Sequence, residues 1–357
     1  MPHLFSPFTL RGVTLRNRIG MSPMCQYSCE ARDGQATDWH RTHLASRAVG
    51  GCGLVIVEAS AVDPRGRITP QDLGIWNDSQ IDGLAGLTYA IRENGAVAGI
   101  QIAHAGRKAA TSRPWEGSMP LSDADGGWGI VAPSALPYGD AHRTPEALTV
   151  EAIEHVITGF VRAAQRANTA GFDWLELHGA HGYLLHSFLS PVTNQRSDAY
   201  GGSFEGRARL MLEVTSAVRA VWPDHKPLTV RLSASDWLED GWQLADSIEL
   251  AKQLGPLGVD LIDCSSGGIR PHVSVPTGPG YNVPFSEAIR QESGLPTAAV
   301  GYITTPEQAE AVLVAGQADV ILLGRQLLRE PYWALRAAAE LDGRAGTLMP
   351  PQYRWAL

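Results

Sequence analysis

Two histidines and a tyrosine stand close together directly after an apolar run of the sequence. The segment reads His178-Gly-Ala-His181-Gly-Tyr183 and follows residues 172–177. If the apolar run forms a strand, all three side chains leave one short loop at its carboxyl end. Imidazole and phenol groups in that position can grip a substrate oxygen, bind a metal or transfer a proton. The segment therefore predicts a functional site.

Three interpretations of the histidine pair follow from the residues. A His-x-x-His pair can bind zinc, with Glu176 on the same strand face as a third ligand. Against zinc, no His-x-His follows the first predicted strand, where metal-dependent barrel hydrolases place one. The histidines can instead be structural. In the favoured interpretation, which needs no metal, His178 and His181 polarise a carbonyl or nitro oxygen while Tyr183 supplies a proton.

Short apolar, β-branched runs alternate with longer amphipathic stretches along the chain. The strands are apolar throughout, as expected where both strand faces are buried. Eight strand–helix units predict an α/β protein of the (β/α)8, or TIM, barrel type. The predicted strands are residues 18–24, 54–62, 97–103, 172–178, 228–233, 259–264, 297–300 and 319–324. The predicted helices are residues 39–49, 78–94, 149–170, 205–222, 243–254, 284–293, 306–315 and 326–340.

Two segments lie outside these units. Residues 4–17, turning at Gly12, predict an N-terminal β-hairpin at the bottom of the barrel. Residues 108–148 form a long Gly/Pro-rich insertion after strand 3, which predicts a lid with a short hairpin around 128–138. Because such barrels exceed about 250 residues as one unit, the sequence predicts a single domain over residues 1–357.

Barrel enzymes place their active site at the carboxyl ends of the strands. In this sequence a polar or otherwise special residue stands at nearly every one of these ends. In strand order they are Ser22, Pro23, Met24 and Cys25 with Tyr27, then Ala59, Gln101 with His104, His178, Arg231, Cys264, Gly301, and Gly324 with Arg325. We therefore expect a site assembled from all sides of the barrel mouth.

The ends of strands 7 and 8 are candidates for an anion site. Gly301 and Gly324 follow these strands, where barrels commonly bind phosphate through backbone N–H groups, and Arg325 adds a guanidinium. Ordinary tight turns are the equally weighted alternative. Arg231 lies inside a strand, where a buried guanidinium needs either an internal carboxylate or an anionic ligand. The neighbouring phosphate site favours the ligand.

The composition argues against several classes of function. A net charge of −8 without any run of Lys or Arg argues against nucleic-acid binding. No apolar stretch approaches the roughly 20 residues of a membrane span, and no secretory signal pattern is present. Four scattered cysteines favour a reducing, cytoplasmic location. No Gly-x-Gly-x-x-Gly or Walker loop is present, so the sequence does not support a Rossmann or P-loop nucleotide site. The expected partners are small molecules.

Together these motifs resemble one known family. Over nearly its whole length the chain resembles the old yellow enzymes, flavin-dependent ene-reductases built on a (β/α)8 barrel. The resemblance rests on Arg16-Asn-Arg-Ile19, Ser22-Pro-Met-Cys25, Arg231, Gly324-Arg325 and residues 101–107, 178–183 and 194–202. Cys25 and His181 are similar to the thermophilic-like and xenobiotic reductases rather than to the yeast and plant branch. Gly206 departs from the family pattern, which usually has asparagine at that position.

The resemblance implies FMN as the cofactor, with NADPH or NADH as the hydride donor. Arg231 would face the pyrimidine side of the flavin, and the backbone of Gly301, Gly324 and Arg325 would hold its phosphate. Cys25 would tune the flavin potential rather than act as a nucleophile. The other implied cofactor contacts are Ser22, Pro23, Met24, Cys25, Ala59 and Gln101.

The implied activity is that of an NAD(P)H dehydrogenase of the ene-reductase type. Reduced flavin would give a hydride to the β-carbon of an α,β-unsaturated carbonyl or nitro compound, and Tyr183 would protonate the α-carbon. His178 and His181 would hold the activating oxygen, with Tyr27 and Tyr302 lining the pocket. A flavin-binding barrel without turnover is the main alternative, followed by a zinc-dependent hydrolase using His178 and His181.

The last part of the chain, residues 341–357, resembles the tail that reaches a neighbouring subunit's pocket in this subclass. The resemblance implies a homodimer, or a dimer of dimers, with exchanged tails. Arg354 or Trp355 would then complete the substrate pocket of the partner.

Overall fold

The computed structural model describes residues 3–342 and 345–356. Residues 1, 2, 343, 344 and 357, which the predicted domain includes, lie outside the described residues. The strands are β1 (Phe8–Leu10), β2 (Val13–Leu15), β3 (Ile19–Met21), β4 (Leu54–Ala61), β5 (Val97–Ala103), β6 (Val131–Ala132), β7 (Glu146–Ala147), β8 (Trp174–Gly179), β9 (Leu228–Ser233), β10 (Leu261–Ser265), β11 (Thr297–Ala299) and β12 (Val320–Leu323).

The helices lie between and after these strands. They are α1 (Asp38–Val49), α2 (Ile81–Arg92), α3 (Val150–Thr169), α4 (Leu184–Leu189), α5 (Phe204–Arg219), α6 (Leu244–Leu254), α7 (Val283–Ser293), α8 (Pro306–Val314), α9 (Arg325–Arg329), α10 (Trp333–Asp342) and α11 (Ala345–Leu348). The predicted helix over 326–340 is divided into α9 and α10, because Pro331 between them lacks a backbone N–H and restricts the residue before it.

Eight parallel strands close into a barrel in the order β3, β4, β5, β8, β9, β10, β11, β12 and back to β3. The predicted (β/α)8 fold is confirmed, and each predicted strand corresponds to one barrel strand. In the described part of the chain, no helix is long and apolar enough to span a membrane.

The strand register decides which side chains enter the barrel. His178 lies opposite Arg231, and Arg231 lies opposite Asp263, so these three residues occupy one level. Because side chains alternate along a strand, Cys264 points outward and packs in the layer between barrel and helices. The expectation that Cys264 stands at the barrel mouth is therefore wrong; Asp263 and Ser265 are its inward-facing neighbours.

The N-terminal hairpin closes one end of the barrel. β1 and β2 pair antiparallel, as predicted, and Leu10 and Leu15 pack against interior residues such as Leu54 and Trp174. This cluster lies at the amino ends of the barrel strands. It leaves the opposite end open for a site.

The insertion follows the third barrel strand, as predicted, but residues 128–138 do not form the predicted hairpin. β6 and β7 pair in parallel across the insertion, rather than as neighbouring strands of a hairpin over 128–138. Pro133 and Pro137 remove two N–H groups that a hairpin ladder there would need. The insertion instead lies over the loop that follows β8, where Ala109, Ala110 and Ile130 form a small apolar cluster with Tyr183.

Candidate active site

The loop after β8 has an unusual backbone. His181 has φ = +59° and Gly182 has φ = +74°, so two consecutive residues lie in the left-handed region. A Cβ on Gly182 would lie 2.3 Å from the Gly268 carbonyl oxygen, which only glycine avoids. The His181 N–H donates to Ser233 Oγ at 2.9 Å. The loop is thus fixed against the ends of β9 and β10.

This backbone brings the three predicted side chains together. The His178 ring lies 5.1 Å from the His181 ring and 4.9 Å from the Tyr183 ring, measured between centroids, at interplanar angles of 86° in both cases. The arrangement around His178 is therefore edge-to-face. One substrate-sized group placed at this point would meet two imidazoles and a phenol.

Both imidazoles are neutral donors or acceptors rather than cations. Burial, followed by the positive charge of Arg231, holds the pKa of His178 and of His181 well below the ordinary value. His178 Nδ1 accepts from the Ala180 N–H at 3.2 Å, so Nε2 carries the proton. His181 Nε2 lies 2.7 Å from Ser265 Oγ. Among the described residues, the His178 Nε2–H donor consequently has no acceptor, whereas His181 already has a hydroxyl partner.

Tyr183 is held by the insertion. Its ring packs with Ala109 and Ile130, and Lys108 Nζ lies 5.1 Å from the ring centroid. Lys108 also donates to the His181 carbonyl oxygen at 2.8 Å. Burial, followed by the nearby Cys25 and Asp72, raises the pKa of Tyr183 well above its ordinary value. The phenol therefore keeps its proton at neutral pH.

Cys25 and Tyr27 lie near Tyr183. Removal from water raises the pKa of Cys25 well above its ordinary value, as do the charges of Asp72 and Glu58. Hydrogen bonds with the Ala59 backbone and with Tyr27 act in the opposite direction. A thiol in this environment stays protonated, which makes it a poor nucleophile.

A cavity of about 250 Å³ joins the β8 loop to the ends of the last two barrel strands. It brings together six residues that the sequence singled out: His181, Arg231, Gly301, Tyr302, Gly324 and Arg325. The Arg325 guanidinium lies 5.0 Å from the Tyr302 ring centroid. Ser265, Asn282 and Arg329 also line the cavity, and the sequence had not indicated them. Because three arginines and an asparagine line it, the cavity fits an anionic ligand.

The polar groups beside this cavity fit FMN. Ser22 Oγ is buried without a hydrogen-bond partner among the residues that the structure describes. A Cβ on Gly324 would lie 3.7 Å from Met24 Sδ, so the segment after β3, which also holds Pro23, borders the Gly324 turn. Donors without partners and an arginine-lined end are what a flavin with a phosphate requires.

Arg231 has the internal partner that the sequence prediction ranked second. Its Nε lies 3.1 Å from Asp263 Oδ2, on the neighbouring strand. The two atoms are not aligned as a hydrogen bond, and neither oxygen of Asp263 has a donor among the described residues. Arg231 therefore pairs with a carboxylate and lines the cavity as well. The period-2 alternation of β10 was the signal that identifies Asp263.

Glu176 lies deeper in the barrel. Its Oε1 accepts from Gln101 Nε2 at 2.8 Å, and burial together with the charge of Asp263 raises its pKa to about 8. Gln101 thus has a protein partner inside the barrel in addition to its predicted place at the flavin edge.

The zinc interpretation required Glu176 beside His178 and His181. Among residues 3–342 and 345–356, no group of three or more His, Cys, Asp or Glu side chains is arranged to hold a metal ion. Glu176 instead takes Gln101 as its partner. In the described part of the chain, Glu176 is therefore not placed as a third ligand beside the two histidines.

The described part of the tail lies away from the active site of its own chain. Thr347, Pro350 and Arg354 border a depression next to Arg16 and Asn94, which precede β3 and β5 at the opposite end of the barrel. Trp355 is 86% exposed. Its predicted role in a partner's pocket stays a prediction.

The comparison with known proteins agrees with this geometry. A family model described as the NADH:flavin oxidoreductase / NADH oxidase family matches residues 3–343. An NADPH dehydrogenase of Geobacillus sp. (strain WCH70) is 51% identical over 338 residues, which cover 95% of this chain and 94% of the relative. An NADPH dehydrogenase of Bacillus subtilis (strain 168) is 48% identical over 339 residues, 95% of each chain.

Solved structures of similar proteins show the same barrel. Morphinone reductase superposes with a TM-score of 0.80 at 29% identity, covering 95% of this chain and 90% of that chain. The old yellow enzyme homologue from Zymomonas mobilis superposes with a TM-score of 0.80 at 29% identity, covering 96% and 94%. The chain therefore belongs to the NADH:flavin oxidoreductase / NADH oxidase family, the family of the old yellow enzymes.

Proposed function

We propose that the protein is an FMN-dependent ene-reductase that uses NADPH or NADH to reduce activated C=C bonds. The observation that carries this proposal is the edge-to-face group of His178, His181 and Tyr183 beside the cavity. When bound, FMN would supply the redox chemistry, which is hydride transfer from NADPH or NADH to the β-carbon of an α,β-unsaturated carbonyl or nitro compound.

The residues of the chain bind and polarise the substrate. His178 Nε2–H donates to the carbonyl or nitro oxygen, because its Nδ1 already accepts from the backbone. His181 gives a second donor when its imidazole exchanges Ser265 for the substrate oxygen. Preorganised donors of this kind stabilise developing negative charge by about 3 kcal/mol each.

Tyr183 delivers the proton to the α-carbon. Its raised pKa keeps the phenol protonated until negative charge develops on the substrate, and its ring is fixed by the insertion. Tyr27 lies near the same phenol and would line the substrate pocket with Tyr302.

The cofactor would be held from three sides. Arg231 would face the pyrimidine ring, and the Gly301, Gly324 and Arg325 backbone would hold the phosphate. The segment after β3 and the edge residues complete the set: Ser22, Pro23, Met24, Cys25, Ala59 and Gln101. Cys25, protonated and beside Tyr27, would affect the flavin potential rather than form a covalent bond.

Three further properties belong to this proposal. Residues 1–357 would act as one FMN-binding domain, and Arg354 or Trp355 would complete a partner's pocket in a homodimer or dimer of dimers. The exposure of Trp355 supports the second point. Four free cysteines, three of them buried, support a reducing cytoplasm as the location.

Anaerobic turnover tests the proposal. Purified holoenzyme incubated with NADPH and 2-cyclohexenone should form one cyclohexanone for each NADPH oxidised, as measured by gas chromatography and absorbance. NADPH oxidation that needs oxygen and forms no cyclohexanone, nor a saturated product from a maleimide or a nitroalkene, would instead indicate a simple oxidase.

A further inference from the structure

A buried histidine–carboxylate pair lies directly behind the active-site loop. His186 Nε2, on α4, lies 3.0 Å from Asp236 Oδ1, an ion-pair contact whose atoms are not aligned as a hydrogen bond, and both side chains are fully buried. The second oxygen, Asp236 Oδ2, accepts from Ser190 Oγ at 2.6 Å and from the Trp242 N–H at 2.7 Å. Burial alone would raise the pKa of Asp236, but His186 and these two donors lower it, so the carboxylate is ionised.

The other nitrogen of this histidine holds the loop. His186 Nδ1 accepts from the Gly182 N–H at 2.8 Å. Gly182 stands between His181 and Tyr183 and has a left-handed backbone, as His181 does. Glycine adopts this region freely, but a left-handed histidine costs free energy and persists only where the surrounding contacts require it. The contact with His186 acts on the backbone between His181 and Tyr183.

The pair also fixes the tautomer of His186. Because Nδ1 accepts from an N–H group, it carries no proton, and Nε2 must carry it toward Asp236. An ionised Asp236 has no hydrogen to offer, so it stabilises this tautomer alone. The opposite tautomer would place two N–H groups, those of His186 and Gly182, against each other.

We propose that His186 and Asp236 form a positioning unit that sets the geometry of His181 and Tyr183 through the Gly182 N–H. This inference rests on the proposed function, because it assigns the loop a task in binding the substrate oxygen. The pair does not touch the cavity itself, so neither residue is catalytic. It acts on the active site only through the conformation of the loop.

Asp236→Asn tests the tautomer directly. The amide oxygen would keep the Ser190 and Trp242 donors, so the amide NH2 would face His186 Nε2 and force the proton onto Nδ1. We expect the holoenzyme to bind 4-hydroxybenzaldehyde about tenfold more weakly or worse, as measured by flavin absorbance, with unchanged FMN content.

Two substitutions of His186 separate its two contacts. His186→Asn places an amide oxygen near the position of Nδ1 and keeps the acceptor for Gly182, whereas His186→Gln keeps a donor toward Asp236 and loses that acceptor. The proposal predicts that His186→Gln weakens phenol binding more than His186→Asn does. If His186→Asn weakens phenol binding more, the contact with Asp236 affects the site without the contact with Gly182, and the proposal is wrong.

The double variant His186→Asn/Asp236→Asn distinguishes positioning from packing. Asparagine has no tautomer, so the double variant restores an acceptor for Gly182 and should bind the phenol more tightly than Asp236→Asn alone. If the pair only packs α4, the double variant should bind the phenol more weakly than Asp236→Asn alone, because it removes more buried contacts.

A spectroscopic readout keeps the test independent of activity. In protein labelled with 15N-histidine, the His186 signal, assigned by its loss in His186→Asn, should show the Nε2–H tautomer in the wild type and the Nδ1–H tautomer in Asp236→Asn. A wild-type Nδ1–H tautomer overturns the proposal even if the enzyme reduces alkenes. The expected tautomers in a protein that reduces no alkene would contradict the proposed function and leave the positioning of the loop intact.

Discussion

Tyr183 and the two histidines acquire their chemistry from burial more than from residue type. Burial keeps His178 and His181 neutral and Tyr183 protonated, each in the state that a donor to a substrate needs. The sequence indicated the three residues by their spacing and their position after a strand. It could not indicate the contacts of Lys108, Asp72, Ser265 or Asp236 with this loop, because these residues lie on other strands and loops of the barrel and carry no local motif. His186 follows Tyr183 closely in the sequence, but its local sequence does not distinguish it from any other helix residue.

Replacement of the phenol should separate the two half-reactions. In Tyr183→Phe, the reoxidation of the flavin by an enone should slow by at least about 100-fold, because general acid catalysis contributes that much. Reduction of the flavin by NADPH should change little, since it needs no proton from Tyr183. Stopped-flow absorbance measures both rates, and equal slowing of the two would show that Tyr183 is not the proton donor.

The buried Glu176 predicts a pH-dependent stability. Because burial and Asp263 raise its pKa to about 8, folding favours the protonated carboxyl, and stability falls as the pH rises from the ordinary range through that value. Glu176→Gln cannot ionise and keeps a partner for Gln101. The melting temperature of the variant minus that of the wild type should therefore increase by about 2 °C or more between pH 5 and pH 9, with both proteins measured at the same FMN concentration. A pH-independent difference would show that Glu176 keeps the same charge throughout this range.

At the scale of elements, the strands were predictable and the loops were not. Apolar, β-branched runs of four to eight residues identify buried parallel strands, and their alternation with helices identifies the barrel. The insertion lacks such a pattern. Its two short strands pair in parallel, and Arg143 donates to the Trp128 carbonyl oxygen at 2.8 Å, so parts of the insertion that are separated in the sequence hold it together. The break at Pro331 was readable in the sequence, since proline ends a helix at the preceding residue.

Lys108 connects the insertion to the active-site loop. Its ammonium donates to the His181 carbonyl oxygen and lies 4.5 Å from the Tyr138 ring centroid. Lys108→Met should remove both contacts and weaken phenol binding by about tenfold, since hydrogen bonds from charged groups contribute about 1.5–3 kcal/mol.

A matched lysine controls for stability. Lys226 Nζ donates to the Phe172 carbonyl oxygen at 2.7 Å and lies 5.3 Å from the Trp222 ring centroid, at the closed end of the barrel. Lys226→Met should lower the melting temperature comparably and leave phenol affinity unchanged. If both variants bind the phenol equally well, Lys108 does not position the loop.

At the scale of the whole molecule, the barrel explains why the site residues are so far apart in the chain. Carboxyl ends of parallel strands meet at one end of the barrel, so Cys25 and Arg325, about 300 positions apart, border the same region. The hairpin of β1 and β2 closes the other end with Leu10 and Leu15. Sequence periodicity predicted this arrangement and marks Asp263 as inward-facing, whereas the pairing of Asp263 with Arg231 needed the strand register.

Reoxidation of the reduced flavin by an enone separates an ene-reductase from a flavin-binding barrel without turnover. Holoenzyme reduced by one equivalent of dithionite under argon should return to the oxidised flavin spectrum when mixed with 2-cyclohexenone and yield one cyclohexanone per flavin; the saturated ketone serves as the control and should leave the flavin reduced. A flavin that stays reduced with cyclohexenone, a maleimide and a nitroalkene alike would contradict the assignment of His178, His181 and Tyr183 to alkene reduction.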